Sequence, residues 1–235
     1  MRVWTRRGVF LGATAGAAMA ATGAVAQMSR EQRIHEDWAY LSKYREENAS
    51  LAAAHAPVDI VFMGDSITEF WRNVDPAFFT PGRVCRGISG QTTPQMLVRF
   101  RQDVIDLRPR TVHIMAGTND VAGNTGPMTP EMTQGNLRSM AELARAHQIH
   151  VVFGAIPPAS RFFWAPSVAP AAPIMAINTW LRAYAQSIHA GYADYHSAMR
   201  DAEGGMRPDL ADDGVHPNAR GYAIMDRIAE QALAR

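Results

Sequence analysis

Short apolar runs recur along this chain, each closed by small or polar residues and each followed by a stretch with helical spacing. The first is Val58-Asp59-Ile60-Val61-Phe62-Met63, stopped by Gly64. A run that short and that apolar is the mark of a strand covered on both faces. Further strands are expected at 84–88, 111–115, 149–153 and near 192–195. Between them lie helical patterns. Thr93-Pro94 opens one that carries Leu97, Phe100, Val104 and Leu107. Thr129-Pro130-Glu131 opens another with Leu137, Met140 and Leu143, in the order cap, proline, acid that favours a helix start. Ile174, Ile177, Leu181 and Ile188 mark a third, and the last runs from about Asn218 to Ala234. Before the first strand, Ser29 to about Ala54 reads as one helix. Ser29 and Gln32 form its capping box, and Ile34, Trp38, Leu41 and Tyr44 form its stripe. Strands separated by helices need crossover connections, so the sheet should be parallel with helices on both faces. Five such strands predict an α/β fold: a flavodoxin-like three-layer α/β/α sandwich with a five-stranded parallel sheet. The segment Ile156–Pro173 holds five prolines and the cluster Phe162-Phe163-Trp164, and it reads as a long loop.

Ahead of this pattern stands a different kind of sequence. Thr5-Arg6-Arg7-Gly8 leads into a weakly apolar run ending Ala24-Val25-Ala26 before Gln27. A basic start, an apolar stretch and an Ala-x-Ala site describe a cleaved export signal, and the paired arginines resemble the twin-arginine type. A membrane anchor fits less well, because the run is rich in Gly and Ala and poor in Leu and Ile. No cysteine follows it to carry a lipid. The expected organisation is therefore residues 1–26 as signal and 27–235 as one domain, delivered to the periplasm or medium. Cleavage takes Arg2, Arg6 and Arg7 from 23 basic residues and nothing from 22 acidic ones, turning a net charge of +1 into −2. That balance gives no footing for nucleic acid. The lone Cys85 makes no internal disulfide and reads as a small buried strand residue.

In an open parallel sheet, ligands bind beyond the carboxyl ends of the strands. The chemically capable residues cluster there. Gly64-Asp65-Ser66-Ile67-Thr68 follows the first strand and Gly87-Ile88-Ser89-Gly90-Gln91-Thr92 the second. Gly117-Thr118-Asn119-Asp120 follows the third, and Asp213-Gly214-Val215-His216-Pro217-Asn218 precedes the last helix. A serine alcohol becomes a nucleophile when a base takes its proton and a third group orients that base. Ser66, His216 and Asp213 supply those types, with the last two within one turn of each other. Ester cleavage also develops an oxyanion, for which the N–H groups of Ser66 and Gly90 and the amide of Asn119 are candidate donors.

These four blocks, in this order, resemble those of the SGNH (GDSL-type) hydrolases and stretch from residue 64 to 216. The one departure is Ile67-Thr68, where the family's name motif has Leu and a following Ser. The resemblance implies Ser66 as nucleophile, Asp213 and His216 as its partners, and Ser66, Gly90 and Asn119 as the oxyanion hole. It implies a flavodoxin-like sandwich, no cofactor and no metal. The expected substrate is a small-molecule or carbohydrate ester, with short acyl or acetyl groups favoured by the modest size and the lack of a long apolar lid sequence.

Other readings of the same residues stand beside this one. Gly64-Asp65-Ser66 alone could be a capped strand-to-helix turn, and Asn119-Asp120 a turn pair. Asp212, Asp213 and His216, with Asp65, could bind a metal and serve a phosphoesterase. The Phe162–Trp164 cluster could fix a loop to the body or form an apolar wall beside the acyl or leaving group. At the level of function, the alternatives are a lysophospholipase or thioesterase for longer chains, and a catalytically silent glycan-binding module.

Overall fold

The computed structural model describes residue 32 and residues 35–234. The export signal read at 1–26 and the capping pair at Ser29 therefore lie outside the described residues, in whole or in part. The expected sheet is present: β1 (Ile60–Gly64), β2 (Arg83–Gly87), β3 (Thr111–Met115), β4 (His150–Gly154) and β5 (Gly191–Ala193). All its pairings are parallel, and the order is β2-β1-β3-β4-β5. The helices are α1 (Arg45–Ala53), α2 (Ser66–Val74), α3 (Thr93–Asp103), α4 (Thr118–Val121), α5 (Pro130–Ala146), α6 (Ala171–Ser187), α7 (Tyr195–Met199) and α8 (Ala219–Leu233).

Side-chain alternation along the strands separates two apolar layers. Val61, Met63, Val112, Ile114, Val151 and Phe153 face one side, where Met96 and Phe100 of α3, Leu137 and Met140 of α5 and Leu181 of α6 cover them. Phe62 and Val152 face the other, against Ile67 and Trp71 of α2 and Tyr222, Met225 and Ala229 of α8. Both faces are closed, which is why the strands read as unbroken apolar runs. A third, smaller cluster joins Ile156, Ala159 and Phe162 of the proline-rich loop to Ile174, Ile177 and Val215. Cys85 is buried on β2 as expected, its Sγ 3.3 Å from the Thr68 carbonyl oxygen, and burial pushes its thiol upward.

Two helix readings need correction. The run 29–54 is not one helix. The Asp37 carboxylate accepts the N–H groups of Leu41 and Ser42 at 2.6 and 2.8 Å, closing a turn where helical hydrogen bonds would continue. Tyr40 sits in the left-handed region at φ 54°, and helix resumes only at Arg45. Tyr44 turns inward, its hydroxyl donating to the Gly87 carbonyl. The helix opened at Thr93 also ends early, at Asp103, with Ile105–Leu107 continuing as a 3-10 turn.

The strand order places β1 at the point where the chain changes direction across the sheet, β2 on one side and β3 on the other. Residues just beyond β1, β2 and β3 must therefore converge on one crevice. Gly64 matters to that convergence. A Cβ there would lie 2.0 Å from Thr68 Oγ1, so only glycine lets the first turn of α2 fold back against the strand end.

Candidate active site

Asp65 caps α2: its Oδ1 accepts the Ile67 N–H at 2.9 Å. The cap makes Ser66 the first residue of the helix, where a backbone N–H has no intrahelical acceptor. Its hydroxyl lies 2.9 Å from His216 Nε2. On the far side of the ring, His216 Nδ1 lies 2.6 Å from Asp213 Oδ2. The other oxygen, Asp213 Oδ1, accepts the N–H groups of Val215 and His216 at 2.9 and 2.8 Å. The loop is locked at its end by Asn218, whose side chain caps α8, and by Val215, buried in the third cluster. Burial alone would raise the Asp213 carboxyl. Hydrogen bonds from the His216 ring and from the two backbone N–H groups outweigh it and hold the group below the usual range. An ionised Asp213 takes a proton-bearing Nδ1, which leaves Nε2 as an acceptor facing the serine hydroxyl.

The other two expected residues sit on neighbouring strand ends. Gly90 is exposed and left-handed at φ +78°, and a Cβ there would meet only Asn124 Nδ2, at 3.9 Å. Its loop is tethered to α2 through Ser89, whose N–H and hydroxyl donate to Glu69 Oε2 at 2.7 and 2.6 Å. Asn119 is buried after β3. Its Nδ2 donates to the Gln91 carbonyl at 3.0 Å and points at Asp65 Oδ2 from 3.4 Å, a distance too long for a strong bond. Asp120 is a tie between elements: it accepts the Thr93 N–H at 3.0 Å, the Thr133 hydroxyl at 3.1 Å and the Thr93 hydroxyl.

The structure thus joins Ser66, His216 and Asp213 in one hydrogen-bonded chain. It brings Asn119 to within reach of Asp65, next in sequence to the nucleophile candidate. Burial raises the Asp65 carboxyl to about 6, against the pull of the Ile67 N–H and of His216. Among the described residues no three His, Cys, Asp or Glu side chains are grouped to hold a metal ion, and Asp213 and His216 engage each other instead.

The aromatic cluster divides its work. Phe162 is buried and stacks on Trp164 with ring centres 4.7 Å apart, fixing the loop. Phe163 is 65% exposed and Phe70 38% exposed. Their rings lie 6.5 and 5.1 Å from the His216 ring, and that of Trp164 lies 6.3 Å away.

Several neighbours of the site carry no obvious sequence signal. Asn124 donates to Gly90 O at 3.1 Å and to Asn119 Oδ1 at 2.8 Å, and accepts from Trp164 Nε1 at 3.0 Å. Arg99, fully buried, donates to Gly64 O, Arg86 O and Gln91 Oε1 at 3.0, 2.8 and 2.6 Å, tying the ends of β1 and β2 to the Gly90 loop. Its pairing with Asp103 at 3.0 Å is an opposite-charge i,i+4 spacing on the apolar face of α3, and that spacing could have flagged it.

The sequence model of the GDSL-like lipase/acylhydrolase family matches residues 62–224. A Bacteroides fragilis structure assigned as an acylhydrolase is 43% identical, with a TM-score of 0.81, covering 85% of this chain and 98% of that one. A GDSL-like lipase of Bacteroides thetaiotaomicron is likewise 43% identical, with a TM-score of 0.80, covering 84% of this chain and 98% of that one. An acetylxylan esterase of Geobacillus stearothermophilus shares the fold at 20% identity, with a TM-score of 0.61 and coverage of 77% and 95%. Among curated proteins, a 36-residue stretch is 53% identical to an uncharacterized lipoprotein, YqeF, of Bacillus subtilis, and the match covers 15% of each chain.

Proposed function

The chain belongs to the GDSL-like lipase/acylhydrolase family, and from that premise we propose that it hydrolyses carboxylic esters through an acyl-enzyme on Ser66. The observation that carries this reading is the unbroken path Ser66 Oγ–His216 Nε2–His216 Nδ1–Asp213 Oδ2, at 2.9 and 2.6 Å. As Ser66 Oγ attacks the carbonyl carbon, its proton passes to Nε2, and the ionised Asp213 stabilises the imidazolium that forms. The carbonyl oxygen becomes an oxyanion facing the N–H groups of Ser66 and Gly90 and the Asn119 amide. The Asn119 N–H that points at Asp65 Oδ2 from 3.4 Å holds only a weak contact there and is the one that turns to the oxyanion. Collapse breaks the ester C–O bond, and His216 returns the proton to the departing alcohol. Water then repeats the sequence on the acyl-enzyme, releasing the acid and restoring Ser66.

The substrates of this proposal are short acyl or acetyl esters, acetylated carbohydrate among them. His216 serves the leaving alcohol, so Phe70 and Phe163 offer flat apolar faces to that part of the substrate. Residues 27–235 form the hydrolase domain, exported on the signal at 1–26. Among the described residues no helix is long and apolar enough to cross a membrane.

A fluorophosphonate probe tests the reaction. Mass spectrometry should find it on Ser66 in the native protein and nowhere on the His216→Ala variant. A folded protein that takes no label overturns the acyl-enzyme. A chain-length series of nitrophenyl esters tests the substrate class, and an optimum at long acyl chains would transfer the enzyme to the lysophospholipase or thioesterase type.

A further inference from the structure

A side-chain amide is nearly symmetric in shape, so turning it over exchanges a donor for an acceptor at little steric cost. What holds it one way is the polarity of its neighbours. For Asn119 this matters, because only the Nδ2 end can stabilise an oxyanion. On that side stand two acceptors, Gln91 O and Asp65 Oδ2. Behind it, Asn119 Oδ1 accepts from Asn124 Nδ2 at 2.8 Å. Asn124 is itself an amide and raises the same question one step further out. Its second N–H donates to Gly90 O at 3.1 Å, and its Oδ1 accepts from Trp164 Nε1 at 3.0 Å. The indole N–H can only donate. It therefore fixes the Oδ1 end of Asn124. In the same sense the carbonyls of Gly90 and Gln91, which can only accept, fix the Nδ2 ends of Asn124 and Asn119. The direction runs Trp164 to Asn124, Asn124 to Asn119, Asn119 toward the oxyanion.

We propose that Asn124, oriented by Trp164, is a positioning residue that holds the Asn119 amide in its donating orientation and ties it to the Gly90 loop. The proposal rests on the reading of Asn119 as an oxyanion donor. Asn124 is half-buried, and it is reached from three separate segments: the strand end at Gly90, its own loop after β3, and the proline-rich aromatic loop. Trp164 thereby has two attachments to the site, its N–H on the oxyanion side and its ring 6.3 Å from the His216 ring. The loop that flanks the base also fixes the polarity of the amide that meets the oxyanion.

The experiment is a double-mutant cycle on nitrophenyl acetate hydrolysis, with kcat and KM measured separately. Asn124→Ala should lower kcat by roughly 10- to 100-fold, the range seen when outer partners of metal ligands are removed, and leave KM within a few-fold. Asn124→Asp should be at least as damaging, because a carboxylate presents acceptors to Asn119 Oδ1 and Gly90 O and invites the Asn119 amide to turn over. Trp164→Phe keeps an aromatic ring while removing the N–H together with the five-membered part of the indole, and it should give a smaller loss of the same kind, in kcat rather than KM. It also keeps the test decisive if an Asn124 variant does not fold. In an Asn119→Ala background each of these substitutions should cost less than about twofold, since a residue that acts through another has nothing left to act on. Losses of equal size in both backgrounds, or Asn124→Ala and Trp164→Phe both leaving kcat within twofold of the native enzyme, overturn the proposal. Asn119→Ala by itself separates the two failures. If it is harmless, the oxyanion assignment falls and the proposal with it; if it is damaging while the cycle shows no coupling, only the proposal falls.

Discussion

The two edges of this sheet use the same backbone conformation to different ends. At the carboxyl edge, the left-handed position in the loop after β2 is held by Gly90, at φ +78°. At the amino edge, the turns entering β3, β4 and β5 also pass through left-handed residues, but these are Arg108, Gln148 and His189, at φ 52°, 60° and 56°. A side chain in that region costs about 1–2 kcal/mol relative to glycine. The chain tolerates the cost four times where helices hand over to strands, His55 ahead of β1, at φ 48°, being the fourth. It avoids the cost at Gly90, where the space in front of the backbone is open. The amino edge also holds two clefts, of about 590 and about 310 Å³, the first lined by Arg101, Arg108 and His147 and the second by Arg145, Gln148 and His189. Both clefts lie at the opposite end of the strands from the serine–histidine–aspartate chain. On the proposed reading, the Gly90 N–H meets a ligand and its approach has to stay bare; at four of the five amino-edge turns, Gly82 ahead of β2 being the exception, a side chain serves.

The largest test of this contrast is Asn119→Ala. If the carboxyl edge is built around an oxyanion, turnover should fall by about 10²- to 10³-fold. A loss within a few-fold would leave that edge no more catalytic than the other. Steady-state kinetics on a short nitrophenyl ester decides it.

The carboxyl edge also bears an electrostatic cost that should be visible in stability. Asp65 is fully buried, and its carboxyl is raised to about 6 from an ordinary 3.8. A raised carboxyl favours the folded state while protonated. That contribution is complete below 3.8 and is lost as pH climbs through about 6. Asp226, which accepts from Trp71 Nε1 at 2.7 Å, is raised to about 6 by burial and by its acidic neighbours, and behaves the same way. Asp65→Asn keeps an oxygen to cap α2 and should remove roughly 1–2 kcal/mol of the stability lost between pH 5 and 7, leaving the share of Asp226. Urea unfolding across that range checks it, and an unchanged slope would mean that Asp65 does not titrate there.

Gly90→Ala probes the bare approach itself. A Cβ has room, since its nearest neighbour is Asn124 Nδ2 at 3.9 Å. The cost is therefore conformational, about 1 kcal/mol. Relief of that strain moves the loop and its N–H. The expected result is about a tenfold fall in kcat with little change in melting temperature. A variant that loses stability and keeps its turnover would place the role of Gly90 in folding.

How far sequence reaches differs between these edges too. The five strands are legible because each is an apolar run that both helical layers must cover. Ser66, His216 and Asp213 are legible because few other arrangements need those three types beyond a strand end. Helix α2 carries Ile67 and Trp71 at helical spacing, and the capped strand-to-helix turn readable in Gly64-Asp65-Ser66 is present with Asp65 as its cap. The stripe of Trp38, Leu41 and Tyr44 suggests continuous helix, and a single carboxylate, Asp37, breaks it by capturing two N–H groups. Asn124 and Gln91 leave no trace, since their partners lie on other segments and a hydrogen bond between distant loops imposes no periodicity. Arg99 sits between these cases: its i,i+4 partner Asp103 is visible in sequence, but its bonds to Gly64 O and Arg86 O are not.

The smallest effect tests the amino edge. Gln148 occupies the left-handed residue between α5 and β4, and its N–H donates to the Arg145 carbonyl at 3.0 Å. Gln148→Gly keeps that bond and relieves the strain of a Cβ at φ 60°. It also gives the unfolded chain more freedom to lose, which offsets part of the gain. The balance should be a stabilisation of under about 1 kcal/mol, with kcat/KM unchanged because the residue stands at the opposite end of the strands from Ser66. The sign is the informative part. A left-handed glutamine that is mere tolerance should yield stability when replaced by glycine. A destabilised variant would instead show that the side chain at this turn makes a contribution larger than its strain, and the contrast between the edges would then be one of ligand against ligand-free packing rather than of bare against tolerated backbone.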